Sequence, residues 1–257
     1  MRLKEKKILV TRPKHQADNL CKLISSNGGE AIAFPTIDIQ PIHESDKNFV
    51  KSNSFSGYDF IIFISRNAVE FAFDRYLSLV RLPSHIKIFA IGAGTAKVLL
   101  DRNVKNVIHA GVQADSNALL DLSQMQRKRL KDKKVLIIRG VGGREYLAEN
   151  LKSRGALVDY AEVYKRCLPE NDINDIYQAW QNTKLDAIVI TSNEGLNNLV
   201  SLISENNQLQ LFNTPLVLMS TRSDRLAKEL GFVSNTSIAV NKSDEGLLLA
   251  ILDLVGE

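Results

Sequence analysis

Lys7-Ile8-Leu9-Val10-Thr11-Arg12 returns 127 positions later as Lys134-Val135-Leu136-Ile137-Ile138-Arg139. In each copy a lysine opens a short, continuous apolar run and an arginine closes it. Such runs fit parallel strands that are buried on both faces. At the same offset, Tyr58-Asp59 followed by Phe60–Ser65 aligns with Leu185-Asp186 followed by Ala187–Ser192. At an offset of 128, Ile88–Gly92 aligns with Leu216–Ser220, and Val112–Leu120 with Val240–Leu248. Several blocks in one order at nearly one offset make the chain a duplication of two homologous halves.

Each half alternates strands and helices. The strands are read at Ile8–Val10, Phe60–Ile64, Ile86–Ile91, Val135–Ile138, Ala187–Ile190 and Leu216–Met219. Helical patterns run from near Lys14 to Gly28-Gly29, from near Asn67 to before Pro83, and from near Arg144 to Gly155. Glycine just past the last periodic residue is a helix stop. The fold class predicted is α/β: two similar doubly wound parallel-sheet domains. Two extended segments interrupt the alternation, residues 34–41 (Phe34-Pro35 to Pro41) and 163–169 (Val163-Tyr164 to Pro169), and both read as strand-like connectors. The repeat is compatible with a simple cut near residue 127. It is equally compatible with one domain built from both chain ends and one from the middle.

Composition narrows the function classes. Of 257 residues, 44% are apolar and 24% charged, the balance of an ordinary globular protein. No stretch approaches the roughly 18 apolar residues of a membrane span. The apolar run after the charged start is too short for a secretory signal core, so a cytoplasmic chain is expected. Cys21 and Cys167 form no CxxC, and the four histidines have no metal-ligand spacing, so no metal site is expected. Cys21 falls on the apolar stripe Ala17, Leu20, Cys21, Ile24 and reads as a small buried hydrophobe. The net charge of +4 suits an anionic ligand. The basic clusters at Lys4–Lys7 and Arg127–Lys134 are interrupted by acids and lack interleaved aromatics, so they read as solvated surface rather than a nucleic-acid face.

In open α/β sheets ligands bind beyond the carboxyl ends of the strands. Those ends carry Thr11-Arg12-Pro13, Ser65-Arg66-Asn67-Ala68, Gly92-Ala-Gly-Thr95-Ala96, Arg139-Gly140-Val-Gly-Gly143-Arg144, Thr191-Ser192-Asn193 and Ser220-Thr221-Arg222-Ser223. Hydroxyls, glycines and arginines next to helix N-termini suit anions. Serine and threonine there are also ordinary helix caps. The glycines complete neither G-x-G-x-x-G nor a P-loop. Arg12 and Arg139 close equivalent strands in the two halves, which points to ligand contact or to salt bridges.

At these residues the chain resembles the uroporphyrinogen-III synthase family. The resemblance rests on Val10-Thr-Arg-Pro13, Phe63–Val69, Ile91-Gly-x-x-Thr-Ala96, Arg139-Gly140, Val163-Tyr164 and Thr191-Ser192, in that order over nearly the whole chain. It implies a swapped arrangement, with residues 1–36 and 169–257 in one domain, 40–165 in the other, and linkers near 35–41 and 164–169. It implies a linear tetrapyrrole substrate, hydroxymethylbilane, bound by its eight carboxylates in an interdomain cleft. The implied reaction loses the terminal hydroxyl, forms a spiro intermediate, inverts the last pyrrole ring and closes the macrocycle. No cofactor or metal is implied, and the expected partners are the substrate and, transiently, the preceding enzyme of the pathway; a monomer is expected, with no nucleic acid and no membrane. Tyr164 is the family-matching candidate for the acid that assists the departing hydroxyl. At the offset of 127 its repeat partner is Ile37, so the phenol breaks the symmetry of the repeat. Arg12, Ser65, Asn67, Ala68, Gly92, Thr95, Arg139, Gly140, Gly143, Thr191, Ser192 and Ser220 are the implied substrate-binding positions. Two departures from the family pattern stand out: Arg66, and the Ser220–Asp224 run with an acid near the rim.

Two rivals use the same rim. A non-catalytic two-domain binder of small polyanions would need no Tyr164. A nucleotide-sugar enzyme would need an acid at the strand ends, whereas Asp59 and Asp186 precede their strands. A DNA-binding regulator is the weakest, since no helix-turn-helix with a basic recognition helix is evident.

Overall fold

The structure is a computed structural model that describes residues 2–42, 52–77, 83–111, 115–170, 176–177 and 185–256. The far end of the helix expected before Pro83 and the start of the repeat block at Val112 lie outside those residues. The chain forms two compact units, one of residues 1–38 and 167–257 and the other of residues 39–166. Residue 127 therefore falls inside the second unit.

The first unit is built on a sheet in the order β11-β10-β9-β1-β2. Its strands are β1 (Lys7–Val10), β2 (Glu30–Ala33), β9 (Ala187–Ile190), β10 (Leu216–Leu218) and β11 (Thr236–Ile238). All neighbouring pairs are parallel. Alternate side chains enter opposite layers. Ile8, Val10, Ala187, Val189 and Val217 pack with α1 (Lys14–Ser26) and the last helix of the chain, Asp244–Val255. Leu9, Ile188, Ile190, Leu216 and Leu218 pack on the other face with Leu196 and Leu199. This two-sided burial is why the strands read as unbroken apolar runs.

The second unit carries the order β3-β8-β7-β4-β5-β6. Its strands are β3 (Asp38–Pro41), β4 (Phe60–Phe63), β5 (Lys87–Ala90), β6 (Ile108–His109), β7 (Lys134–Gly140) and β8 (Leu157–Cys167). The β4–β5, β4–β7, β5–β6 and β7–β8 pairs are parallel. Ile61, Phe63, Leu136 and Ile138 face one layer, and Phe60, Ile62, Val135 and Ile137 face the other. Through the repeat, β1 corresponds to β7, β9 to β4 and β10 to β5, so the two sheets share one strand order. Each sheet takes strands from both halves of the duplication.

Helices follow the strand ends: α2 (Arg66–Ala72), α3 (Ala93–Asp101), α4 (Ser116–Leu120), α5 (Arg127–Leu130), α6 (Tyr146–Ser153), α7 (Asn193–Leu202), α8 (Gln208–Asn213), α9 (Thr221–Glu229) and α10 (Asp244–Val255). α1 stops where Gly28, at φ 90°, turns its N–H back to Ser25 and Gly29 bonds Ile24. Gly155, at φ 93°, ends α6 in the same way. Left-handed backbone there favours glycine. No helix among the described residues is long and apolar enough to cross a membrane.

Tyrosines on β8 and before β4 carry a pH dependence. Burial and a hydrogen bond to Glu145 push the Tyr160 phenol up to about 12, with Arg139 pulling the other way. Burial and a 3.0 Å bond to Asp159 push Tyr58 up to about 12. A raised phenol pKa adds stability that is complete below the unfolded value near 10 and is lost as pH rises through about 12. The Tyr58→Phe/Tyr160→Phe variant is therefore expected to lose stability less steeply over that alkaline window than the parent. Denaturant midpoints across the window measure this, and parallel curves would refute it.

Candidate functional site

Among the described residues, the implied site positions fall into two groups, one on each sheet's carboxyl rim. Ser65, Asn67, Ala68, Gly92, Thr95, Arg139, Gly140, Gly143 and Tyr164 belong to the unit of residues 39–166, and Arg12, Thr191, Ser192 and Ser220 to the other.

The serines at the rim are helix caps. Ser65 leaves β4 in extended geometry, and its Oγ accepts the Ala68 N–H at 2.9 Å. Ser192 caps α7 through the Gly195 N–H at 3.0 Å, and Ser220 caps α9 through the Ser223 N–H at 3.2 Å. Capping uses a lone pair and leaves the hydroxyl hydrogen to donate elsewhere. In Ser220 that hydrogen is spent. Ser223 Oγ gives its only proton to Asn193 Oδ1 at 2.8 Å, so Ser220 donates to Ser223 at 2.9 Å. Ser65 instead lies 3.2 Å from the Tyr164 hydroxyl. The Ala68 amide is consumed by its cap, and Ala68 itself is fully buried.

Tyr164 lies in β8, the strand within which the chain passes from one unit to the other after Arg166. It is 3% exposed and packs in the core layer of its unit beside Phe71, ring centroids 5.6 Å apart. The sequence showed residues 163–169 as an extended segment but not its pairing with β7, which cannot be read from the segment's own residues. Opposite the phenol, Ser65 is half-buried, and Asn67 is half-buried in the first turn of α2.

The paired arginines do not stand open at the rim. Arg12 is 9% exposed and its guanidinium bonds Asp244 and the Gln16 carbonyl. Arg139 is 7% exposed; Nε and Nη2 reach Glu162 Oε1 at 3.2 and 3.1 Å, and Nη1 reaches Glu145 at 2.8 Å and the Gly143 carbonyl at 3.2 Å. Its guanidinium also stacks on Tyr160, 3.7 Å from the ring centroid. A buried cation needs such neutralisation, because desolvating it unpaired costs several kcal/mol. Burial alone would lower the Arg139 pKa, but Glu145, Glu162 and Tyr160 outweigh it and raise it. Glu145 is held below the usual carboxylate range by Tyr160 and then by Arg139. These arginines are thus claimed by Asp244 and Glu162, partners that sequence reasoning missed. One signal was legible: Glu162 is a lone acid inside the apolar stretch Ala161–Tyr164.

Other positions are also absorbed by the fold. Thr11 Oγ donates to the Val189 carbonyl at 2.7 Å and Thr36 Oγ to the Thr11 carbonyl at 3.2 Å, tying the β1, β2 and β9 ends together. Thr95 is 5% exposed on α3, and the chain enters that helix through Gly92 in extended backbone. Thr191 and Ser192 are half-buried at the end of β9. Arg66 is exposed. Asp224 is answered within its own unit by Lys228 at 2.7 Å and Thr236 at 2.8 Å, with Lys228 the first cause of its lowered pKa. Cys21, expected buried, is half-buried, and burial pushes its thiol up. Among the described residues no group of three or more His, Cys, Asp or Glu could hold a metal ion.

Comparison with known proteins bears on this arrangement. Residues 18–248 match the family model described as uroporphyrinogen-III synthase HemD. A uroporphyrinogen-III synthase of Escherichia coli K12 is 31% identical over 249 residues, covering 95% of this chain and 99% of that protein. One from Salmonella typhimurium is 31% identical over 246 residues, covering 95% and 99%. Among solved structures, a mutant uroporphyrinogen III synthase of Thermus thermophilus matches with a TM-score of 0.63 at 13% identity, covering 97% of this chain and 98% of that one. The Helicobacter pylori 26695 enzyme matches at 0.62 and 17% identity, covering 97% and 99%. The structures share the fold, and the sequence matches settle the lineage: this chain belongs to the uroporphyrinogen-III synthase family.

Proposed function

We propose that the protein converts hydroxymethylbilane into uroporphyrinogen III, releasing water, inverting the last pyrrole ring and closing the macrocycle. Family membership over nearly the whole chain supports the reaction. The observation that carries the mechanism is the hydrogen-bonded series Ala68 N–H, Ser65 Oγ, Tyr164 Oη, at 2.9 and 3.2 Å.

The chemistry asks little of a nucleophile, because the pyrroles supply the electrons. It asks for a proton on the departing hydroxyl and for a shaped site that directs the final ring. In this proposal the Ala68 N–H is given to Ser65, Ser65 gives its own proton towards the phenol oxygen, and the Tyr164 proton is left to donate. Bonds aligned in one sense polarise one another and make the last donor stronger. The carbon–oxygen bond breaks as that proton arrives, water leaves, and the phenolate recovers a proton when the closing ring carbon gives one up. The substrate carboxylates are held by donors on the carboxyl rim, the backbone of the Gly142-Gly143 turn beyond β7 among them. A charge-assisted hydrogen bond contributes about 1.5–3 kcal/mol, so a few are enough for a polyanion.

The test is an isomer assay. Purified protein mixed with freshly generated hydroxymethylbilane, without added metal or cofactor, is expected to give mainly type III uroporphyrin after oxidation. Only type I, the product of unassisted closure, would sink the reaction and promote a non-catalytic polyanion-binding protein.

A further inference from the structure

The register of β7 against β8 contains one irregularity. Ile138 faces Ala161 and Arg139 faces Glu162, but Gly140 faces Tyr164, so Val163 is an extra residue in β8. Pairing resumes at once, with the Val141 N–H on the Tyr164 carbonyl at 2.9 Å. In a regular strand successive side chains alternate between faces, so Tyr164 would follow Glu162 and Tyr160 to the layer that holds Arg139. The bulge reverses that: Ala161, Val163 and Tyr164 all enter the same layer, the one behind α2. Bulges re-aim side chains in this way.

Gly140 is the second half of the device. A Cβ at this position would lie 2.5 Å from Tyr164 Cε2, 2.6 Å from Cζ and 3.0 Å from Cδ2. The three nearest atoms all belong to the phenol ring, which therefore lies flat against the bare Gly140 backbone. Phe71 stands against the ring at a centroid distance of 5.6 Å and the Arg166 cation at 5.8 Å. The ring cannot yield to a methyl group without leaving the position that puts its hydroxyl 3.2 Å from Ser65.

We infer that Gly140, with the Val163 bulge, is a positioning residue that seats the Tyr164 phenol beside Ser65, and that its missing side chain serves the tyrosine rather than a substrate carboxylate. The inference rests on the proposed acid role of Tyr164, and its test separates the two. Gly140→Ala is expected to lower kcat about tenfold to a hundredfold, the scale of a reacting group misplaced by about an ångström, with KM changed less than about twofold. In a Tyr164→Phe background the same substitution is expected to lower kcat by less than about twofold further, because no phenol remains to misplace. A full additional loss there, or a loss carried by KM, would overturn the inference. If Tyr164→Phe alone keeps full turnover, the acid role fails, and a Gly140→Ala loss beside it overturns the inference too. Thermal unfolding gives a reading independent of activity. Gly140→Ala is expected to lower the midpoint, and Tyr164→Leu added to it to recover part of the loss, since the shorter side chain clears the methyl group. Additive midpoints would mean that Gly140 and Tyr164 do not act together.

Discussion

Tyr164→Phe is expected to cut kcat about a hundredfold or more, the usual contribution of a positioned general acid, while the protein stays folded. Phenylalanine keeps the ring that fills the layer beside Phe71 and lies on Gly140; only the hydroxyl facing Ser65 is lost. KM should change little, because the phenol acts on the breaking bond and not on the carboxylates. The residual product should shift towards type I, since released or slowly processed substrate closes without help. Steady-state rates with chromatographic separation of the isomers measure both effects. A variant with parental kcat and isomer ratio would remove Tyr164 from the chemistry. Ser65→Ala should give a smaller loss in the same direction, because it removes the donor behind the phenol and the α2 cap together.

Arg139→Met is expected to destabilise the unit of residues 39–166 by about 3–5 kcal/mol. The substitution leaves the Glu162 carboxylate, 4% exposed, without the guanidinium that faces it at 3.1 Å, and the Tyr160 ring without its stacked cation. Adding Glu162→Leu should recover much of the loss, because an apolar pair of similar volume is often as stable as the buried ion pair it replaces. Denaturant unfolding of the parent, the single and the double variant measures both steps. Were Arg139 a substrate contact instead, the single variant would keep its unfolding midpoint and raise KM, which is the outcome that would reverse this assignment.

The sequence made the fold class legible because its strands are buried on both faces. Ala187–Ile190 and Phe60–Phe63 read as unbroken apolar runs, and the structure places them at the centre of their sheets. The short edge strands carried no such pattern: β6 is the dipeptide Ile108-His109, and β11 is Thr236-Ser237-Ile238 with two hydroxyls. For β8 the reading caught only the last residues, because Asp159, Glu162 and Lys165 interrupt the apolar pattern. The rim was legible as chemistry but not as allocation. Composition at a strand end says that Arg139 or Ser220 can bind an anion. It does not say that Glu162 has already taken the Arg139 donors, or that Ser220 donates to Ser223 because Asn193 holds the Ser223 proton, since Glu162 and Asn193 come from other elements. The bulge at Val163 was equally hidden, because an extra residue shows only against the strand it pairs with.

The mixed origin of the sheet in the unit of residues 1–38 and 167–257 sets an order of events during synthesis. Thr11 bonds Val189, 178 positions later, while β1 and β2 lie within the first 33 residues. At ribosomal speeds of about 5–20 residues per second, β1 waits on the order of ten to forty seconds for β9 to emerge. During that interval the span 39–166, contiguous in sequence, has every strand of its own sheet except the first residue of β3 and the last of β8. It can collapse first, leaving Ile8-Leu9-Val10 as an uncapped apolar edge open to pairing with another chain. A substitution that weakens the α1–β2 packing against β1 should therefore show first as lower yield of folded product rather than as an altered reaction.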